Sequence, residues 1–253
     1  MHTSILPVAL ALAFVQAAPA RADATRVSID KDELQYVGYL DDAANAQLFA
    51  LYERLSPKPS VLAITSKGGE VQTGLALGEW VHAHGLDIKV MEYCLSSCAN
   101  YVFTAGAQKI VSNVAVIGFH GGVGSTQFAL SGELKARYAA MTKAQQEAYW
   151  VEFRNDLRPA LEREAGFFKL IGVRQDITTY GQADRFKNIV ADGWTFSADG
   201  FRRFGVDRIR VLDGPWRPTP PNTAWKIALI EDGALPDAPA STDRVRTGVL
   251  PQK

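Results

Sequence analysis

Three segments between residues 61 and 122 decide the fold: VLAITSKGGEV (61–71), VMEYCLSSCANYVFTAG (90–106) and AVIGFHGG (115–122). Each contains a short apolar run of strand length, Val61–Thr65 in the first of them, that ends in a turn rich in glycine, serine or histidine. After the first of them, Val71–His84 has the apolar spacing of a helix. Strands that alternate with helices pair in parallel through right-handed crossovers. We therefore predict an α/β fold with a mostly parallel sheet.

The flanking segments continue this alternation. The other predicted elements are a hairpin of strands Arg26–Ile29 and Leu34–Leu40, a helix Ala43–Leu55, strands Asp87–Met91, Lys109–Ser112 and Ala115–Phe119, a short helix Ser97–Thr104, a long helical stretch over 131–165 that breaks before Pro159, and a helix Ala198–Phe204 that leads into strand Asp207–Val211. The long helical stretch is an insertion relative to the alternating core. Its aromatic residues are typical of a packing face or a subunit contact.

Residues 1–22 have the pattern of a secretory signal peptide. An apolar run, Ile5–Val15, precedes a small-x-small cleavage site that ends at Ala22. The run is shorter than the ~20 residues that a membrane span needs, although an uncleaved anchor is the alternative. We expect cleavage after Ala22 and a periplasmic or secreted mature protein without an integral membrane span.

The length and charge of the chain restrict its organisation and its partners. A chain of 253 residues suits one α/β domain, which we assign to residues 23–212. Residues 213–253 are rich in proline and are predicted to be a partly disordered tail, with one anchored segment at Trp225–Ile230. Basic and acidic residues number 27 each, so no basic excess indicates nucleic-acid binding.

The two cysteines, Cys94 and Cys98, are four residues apart at a predicted strand-to-helix turn. In an oxidising compartment such a pair tends to be joined, and this spacing allows the Cα separation of ~4.4–6.8 Å that a disulfide requires. Two thiols without histidines at ligand spacing are too few for a zinc site, so we predict no metal. The chain also lacks a nucleotide-binding glycine fingerprint, and we predict no cofactor.

Candidate catalytic groups fall at the carboxyl ends of the predicted strands, where ligands bind in open parallel sheets. The pair Gly68-Gly69 can turn backbone N–H groups toward a carbonyl oxygen, Ser97 at a helix start can act as a nucleophile, and His120 can act as its base. The alternative roles are a plain turn for the glycines, an N-cap for Ser97 and a structural turn residue for His120.

The segments ITSKGGEVQTGLAL (64–77), SSCANYVFTAG (96–106) and VIGFHGG (116–122) resemble the proteolytic subunit of the Clp protease and its relatives in the Clp/crotonase superfamily. They are also similar to the signal-peptide peptidase A branch and to exported Clp-like proteins with a Cys-x-Ser-Ala/Ser-Cys motif. The resemblance covers about residues 60–123, with a weaker similarity in WTFSADGFRRFGVDRI (194–209). It implies a superhelical β-α-β core and, in most members, a ring or another homo-oligomer.

The resemblance also implies a set of site residues. The family's Ser-Pro-Gly-Gly corresponds to Ser66–Gly69, with Lys67 in place of proline, and its serine and histidine correspond to Ser97 and His120. An N–H group of Gly68 or Gly69, together with that of Cys98, would form the oxyanion hole.

The third member of the triad is less well defined by the resemblance. Asp192 lies one residue out of register, and Asp176 and Asp184 are alternatives. Cys98 is a rival nucleophile if it is reduced, since a helix N-terminus lowers the pKa of a thiol.

Two hypotheses follow. In the first, the protein is an exported Clp-like serine hydrolase, a peptidase that acts on peptide or protein substrates through Ser97, His120 and Asp192. In the second, it is a catalytically inactive Clp-fold protein for binding or assembly, in which a disulfide between Cys94 and Cys98 holds the former site rigid. The helical stretch 131–165 is the candidate for a homo-oligomer contact in either case.

Overall fold

The structure is a computed structural model, and it describes residues 24–125, 132–220 and 225–231. The predicted signal segment 1–22 and most of the predicted tail lie outside these ranges. Within the described ranges, no helix combines the length and the apolarity needed to cross a membrane.

The described strands are β1 Arg26–Asp30, β2 Glu33–Val37, β3 Val61–Thr65, β4 Asp87–Val90, β5 Tyr93–Leu95, β6 Lys109–Ser112, β7 Val116–Gly118, β8 Gly193–Phe196, β9 Ile209–Leu212 and β10 Ile227–Ile230. The described α-helices are α1 Asp42–Arg54, α2 Val71–His84, α3 Gly132–Ala139, α4 Lys143–Ile171 and α5 Ala198–Arg203. A π-helical segment, Cys98–Phe103, lies between β5 and β6, and three short 3₁₀ turns lie between residues 175 and 186.

The central sheet has the strand order β1-β2-β3-β4-β6-β9. Only the β1–β2 hairpin is antiparallel, and all the other neighbours pair in parallel. Strand β3 lies inside the sheet, and its central residues Leu62, Ala63 and Ile64 are buried because both faces are covered. The predicted α/β class with a mostly parallel sheet is therefore confirmed.

Two small parallel sheets extend this core. Strand β5 pairs with β7, so that Tyr93 lies opposite Val116 and Leu95 opposite Gly118. Strand β8 pairs with β10, which confirms the anchored segment predicted near residues 225–230. A bridge between Phe119 and Trp194 joins the two small sheets. This second layer brings the chain after β5, after β7 and before β8 to one region.

The prediction of a helix break before Pro159 is wrong. Helix α4 runs without interruption through Pro159 and extends to Ile171, and the break lies instead between α3 and α4. There, the side chain of Thr142 accepts a hydrogen bond from the Gln145 N–H, and the Gln145 side chain accepts one from the Thr142 N–H. This capping box starts a new helix by satisfying N–H groups that have no partner inside it.

The π-helical segment packs closely against α2 because two glycines of α2 face it. A Cβ atom added at Gly78 would lie 2.5 Å from the Tyr101 carbonyl oxygen, and one at Gly74 would lie 2.9 Å from Ser97 Cβ. The rings of Phe167 and Phe168 of α4 also pack against the ring of Tyr101. The π-helical segment is thus held in place by tight packing against α2 and α4.

Candidate active site

The imidazole of His120 contacts the hydroxyl of Ser96. The distance between His120 Nε2 and Ser96 Oγ is 2.7 Å. Ser96 follows β5 and His120 lies two residues after β7, so the parallel pairing of these strands brings their carboxyl ends together. Ser96 is partly exposed and His120 is exposed, so the pair is accessible from solvent.

Ser96 has an unusual backbone conformation. Its φ angle is 55°, in the left-handed region that serine adopts only rarely. The Ser96 N–H donates to the Gly118 carbonyl at 2.8 Å, and its own carbonyl accepts from the Asn100 N–H at 2.8 Å. These two bonds hold the strained turn. Strain of this kind clusters at functional sites.

Ser97, the serine predicted to be the nucleophile, points elsewhere. Its Oγ donates to the Gly69 carbonyl at 2.8 Å, and only 3% of the residue is exposed. The structure therefore does not bring Ser97 and His120 together, because Ser97 starts the helical turn and faces α2 while Ser96 faces β7. The catalytic role of Ser97 stays a prediction that these contacts do not support.

The predicted disulfide between Cys94 and Cys98 is confirmed. The two sulfurs are 2.00 Å apart and the two Cα atoms 5.3 Å apart. The bridge encloses Ser96 and Ser97 in a loop of five residues, and both cysteines are fully buried. Because a disulfide sulfur is not a thiolate, Cys98 is not a nucleophile in this state.

The glycine pair lies against the serine turn. A Cβ atom at Gly68 would lie 2.8 Å from Ser96 Cβ and 2.9 Å from the Ser97 nitrogen, so only glycine allows this approach. The Gly68 N–H donates to Ser66 Oγ at 3.0 Å and is therefore already engaged. In the described ranges, the loops around the site provide no acceptor for the N–H groups of Gly69 and Ser97. Cys98 begins the π-helical segment, two residues beyond Ser96.

Lys67, which precedes the glycine pair, contacts Trp225, two residues before β10. Its Nζ lies 5.1 Å from the centre of the Trp225 ring, and that ring packs edge-on against Tyr93 at 5.3 Å. Such a cation–π contact is worth about 0.5–1 kcal/mol at an exposed position. Lys67 thus helps to hold the start of β10 beside the glycine loop.

Asp192 lines the same cavity as His120 but does not contact its imidazole. The cavity has a volume of about 190 Å³. The Asp192 carboxylate accepts the Lys226 N–H at 2.8 Å, which links β8 to β10. Neither of the two alternative carboxylates is placed to orient His120 instead. Asp176 pairs with Arg174, and Asp184 is an exposed residue of a 3₁₀ turn. Among the described residues, no carboxylate hydrogen-bonds to the imidazole.

The loop that follows His120 is held by two residues that the sequence analysis did not assign to the site. Asn100 Nδ2 donates to the Gly121 carbonyl at 2.7 Å. Glu164 is fully buried, and its Oε1 accepts from the Val123 N–H at 3.1 Å and from the Tyr101 hydroxyl at 2.7 Å. Glu164 precedes Phe167 and Phe168 by three and four residues, so its place on the buried face of α4 was available as a sequence signal.

Tyr101 remains a hydrogen-bond donor in this network. Burial, and then the adjacent Glu164 carboxylate, raise the pKa of Tyr101 far above its usual value. The phenol is therefore neutral at neutral pH, and its hydroxyl donates to Glu164. The buried hydrogen bonds of Glu164 with Tyr101 and Val123 thus hold the loop that follows His120.

The arrangement can perform nucleophilic chemistry. A hydroxyl within hydrogen-bond distance of an imidazole can transfer its proton while the oxygen attacks a carbonyl carbon. A backbone N–H group next to that hydroxyl, such as that of Ser97, can stabilise the negative charge that develops on the carbonyl oxygen. In comparisons with known proteins, neither a protein-family model nor a curated protein matches the chain.

Proposed function

We propose that this protein is a serine hydrolase in which Ser96 is the nucleophile and His120 is the general base. The observation that carries the proposal is the 2.7 Å contact between His120 Nε2 and Ser96 Oγ. Ser96 Oγ attacks the substrate carbonyl carbon while its proton passes to Nε2, and the imidazolium then protonates the leaving group as its bond breaks. A water molecule deprotonated by His120 releases the acyl group from Ser96 by the same steps.

The oxyanion hole in this proposal consists of the N–H groups of Gly69 and Ser97. Gly68 is less suited to this role because Ser66 already accepts from its N–H. The shift of the nucleophile from Ser97 to Ser96 moves the second donor from Cys98 to Ser97, which keeps the donor on the residue after the nucleophile. Loss of one such donor typically lowers turnover by about 10²–10³.

Peptides are the substrate class that we infer, on the resemblance of residues 60–123 to the Clp/crotonase superfamily. Export to a periplasmic or extracellular space is supported by the signal-like segment 1–22 and by the disulfide, since disulfides persist in oxidising compartments. Assembly into a homo-oligomer through α3 and α4 belongs to the same proposal. It is supported by the partly exposed aromatic cluster that Tyr138 and Trp150 form with their neighbours.

A second candidate function is binding or assembly without catalysis. It is favoured by one observation: the Asp192 carboxylate is engaged by the Lys226 N–H, and no described carboxylate orients His120. In this candidate, the Cys94–Cys98 disulfide keeps the serine turn rigid as a recognition surface. Reactivity of the serine separates the two candidates.

Labelling with a fluorophosphonate probe tests the nucleophile. We expect the probe to label the protein on Ser96, Ser96→Ala and His120→Ala to abolish the label, and Ser97→Ala to retain it. Ser97→Ala is the matched control because it removes a neighbouring hydroxyl whose only described contact is the Gly69 carbonyl. A label that maps to Ser97 would contradict the assignment, and a folded protein that is not labelled at all would favour the binding candidate.

A further inference from the structure

A second cavity lies against the small β8–β10 sheet and is separate from the cavity beside His120. Its volume is about 290 Å³, close to the lower end of the range of small-molecule sites, roughly 300–1,000 Å³. One wall is the segment 216–220, which is fixed to the body of the protein. Trp216 Nε1 donates to the Ala115 carbonyl at 2.7 Å, and the Thr219 N–H donates to the Val114 carbonyl at 3.0 Å. The cavity is therefore bounded by anchored structure.

Most of the cavity wall is apolar. Val116, Trp216, Pro218, Ile227 and Leu229 contribute to it. Leu229 is 45% exposed although it belongs to a strand, so part of this apolar surface remains open to solvent. Such a surface favours the hydrocarbon part of a ligand, because moving apolar groups out of water lowers the free energy.

Thr195 contributes a buried hydroxyl without a partner. Leu229 lies opposite Thr195 in the parallel register, so both side chains are on the face of the sheet that borders the cavity. Thr195 is 2% exposed, and its Oγ1 has no hydrogen-bond partner among the described residues. Because buried polar groups are nearly always hydrogen-bonded, this hydroxyl indicates a missing acceptor or donor.

Arg217 adds a positive charge to the same cavity. It is exposed, and within the described ranges its guanidinium forms no ion pair. An arginine fork is suited to a carboxylate, which it can bind through two parallel hydrogen bonds. The cavity thus combines a hydrocarbon-lined wall with a cation and an unpaired hydroxyl.

We propose that this cavity binds a small monocarboxylate with an apolar body, such as a medium-chain acyl carboxylate. The apolar body packs between Trp216 and the side chains of β10, and the carboxylate accepts hydrogen bonds from Arg217 and Thr195. The proposal is independent of the catalytic one, because neither Ser96 nor His120 borders this cavity.

Isothermal titration of the full chain with octanoate and with 1-octanol tests the proposal. We expect octanoate to bind at least about tenfold more tightly than octanol, since a hydrogen bond to a charged group contributes enough for that ratio. Arg217→Gln should remove this preference, and Thr195→Val should weaken octanoate binding, while Thr195→Ser should retain it. Arg210→Gln, which changes an exposed arginine of β9, is the matched control and should leave binding unchanged.

A third ligand, N-acetyl-leucine, carries the same carboxylate on a peptide-like body. Tighter binding of octanoate would identify a free acyl chain as the source, and tighter binding of N-acetyl-leucine would identify a peptide C-terminus. The proposal is overturned if neither carboxylate binds, if octanol binds as tightly as octanoate, or if Arg217→Gln and Thr195→Val both bind octanoate as the unchanged protein does.

Discussion

The choice between two adjacent serines depends on one backbone angle. With φ of 55°, Ser96 directs its hydroxyl to His120, and Ser97 turns toward Gly69. Motif alignment cannot resolve such a difference, because neighbouring residues at a strand-to-helix turn point in different directions. The angle is fixed by two hydrogen bonds of Ser96, one to Gly118 of a different strand and one to Asn100 on the next turn. It is a tertiary property that the local sequence does not encode.

Gly68 should tolerate no side chain. Its φ angle is +90°, and a Cβ atom would lie 2.7 Å from the Leu95 carbonyl oxygen. We expect Gly68→Ala to lower the free energy of unfolding by about 1–3 kcal/mol and to abolish probe labelling, since the serine turn must move. Urea unfolding and labelling rates measure both effects.

Gly166→Ala is the control for that substitution. Gly166 lies inside α4, and a Cβ atom there would have nothing within 4 Å. Alanine at a helix interior is favoured over glycine by roughly 0.5–1 kcal/mol, so this variant should be slightly more stable and labelled normally. Equal stability of the Gly68→Ala variant and the unchanged protein would show that the close approach at Gly68 is not rigid.

At the level of elements, the strongest local patterns were predicted to the residue. Strand β3 and helix α2 have the predicted bounds, because a continuous apolar run and a capped amphipathic segment each depend on nearby residues only. The predicted strand Asp87–Met91 ends one residue earlier, at Val90. The pairing of β8 with β10 was not predicted, since it joins segments more than 30 residues apart in the chain. Long-range pairing leaves no periodic signal in either segment.

Strand β6 begins with a buried lysine whose charge opposes folding. Lys109 is 5% exposed, and its burial, followed by the nearby Arg208 charge, lowers the pKa of Lys109 to about 8. Between pH 8 and the unfolded value near 10.5, the unfolded chain binds more protons, so stability rises with pH in that window. Below pH 8 this lysine is charged in both the folded and the unfolded state. Burying its charge then destabilises the folded state by the full amount, of order 3 kcal/mol.

Lys109→Met should therefore stabilise the protein at pH 7 and remove this contribution to its pH dependence. Urea unfolding at pH 7, 9 and 10.5 compares the variant with the unchanged protein, and the difference between them should shrink as the pH rises. Lys169→Met, which changes an exposed lysine of α4, is the control and should show no such trend. A difference that is constant with pH would mean that Lys109 is not charged at a cost in the folded state.

At the scale of the whole molecule, a single carboxylate joins the long helix to the histidine loop. Glu164 of α4 accepts hydrogen bonds from Tyr101 in the π-helical segment, from Val123 after the histidine and from Gln175 beyond the helix. The predicted core elements thus meet at a residue in the predicted insertion. The sequence does not predict that this insertion touches the site, because the contacts span 41 and 63 residues along the chain.

Two substitutions of Glu164 should distinguish its role as a hydrogen-bond acceptor from the role of its negative charge. Glutamine can still accept from Val123 and Tyr101 through its amide oxygen, and a rotation of the Gln175 amide can satisfy its NH₂ group. We expect Glu164→Gln to fold and to retain probe labelling within about tenfold, the factor that corresponds to 1.4 kcal/mol. Glu164→Ala leaves two buried donors, on Tyr101 and Val123, without an acceptor, at about 1–3 kcal/mol for each, so it should lose labelling and much of its stability. Thermal unfolding and labelling rates test the pair, and a Glu164→Ala variant that is labelled as fast as Glu164→Gln would show that the histidine loop is positioned without this network.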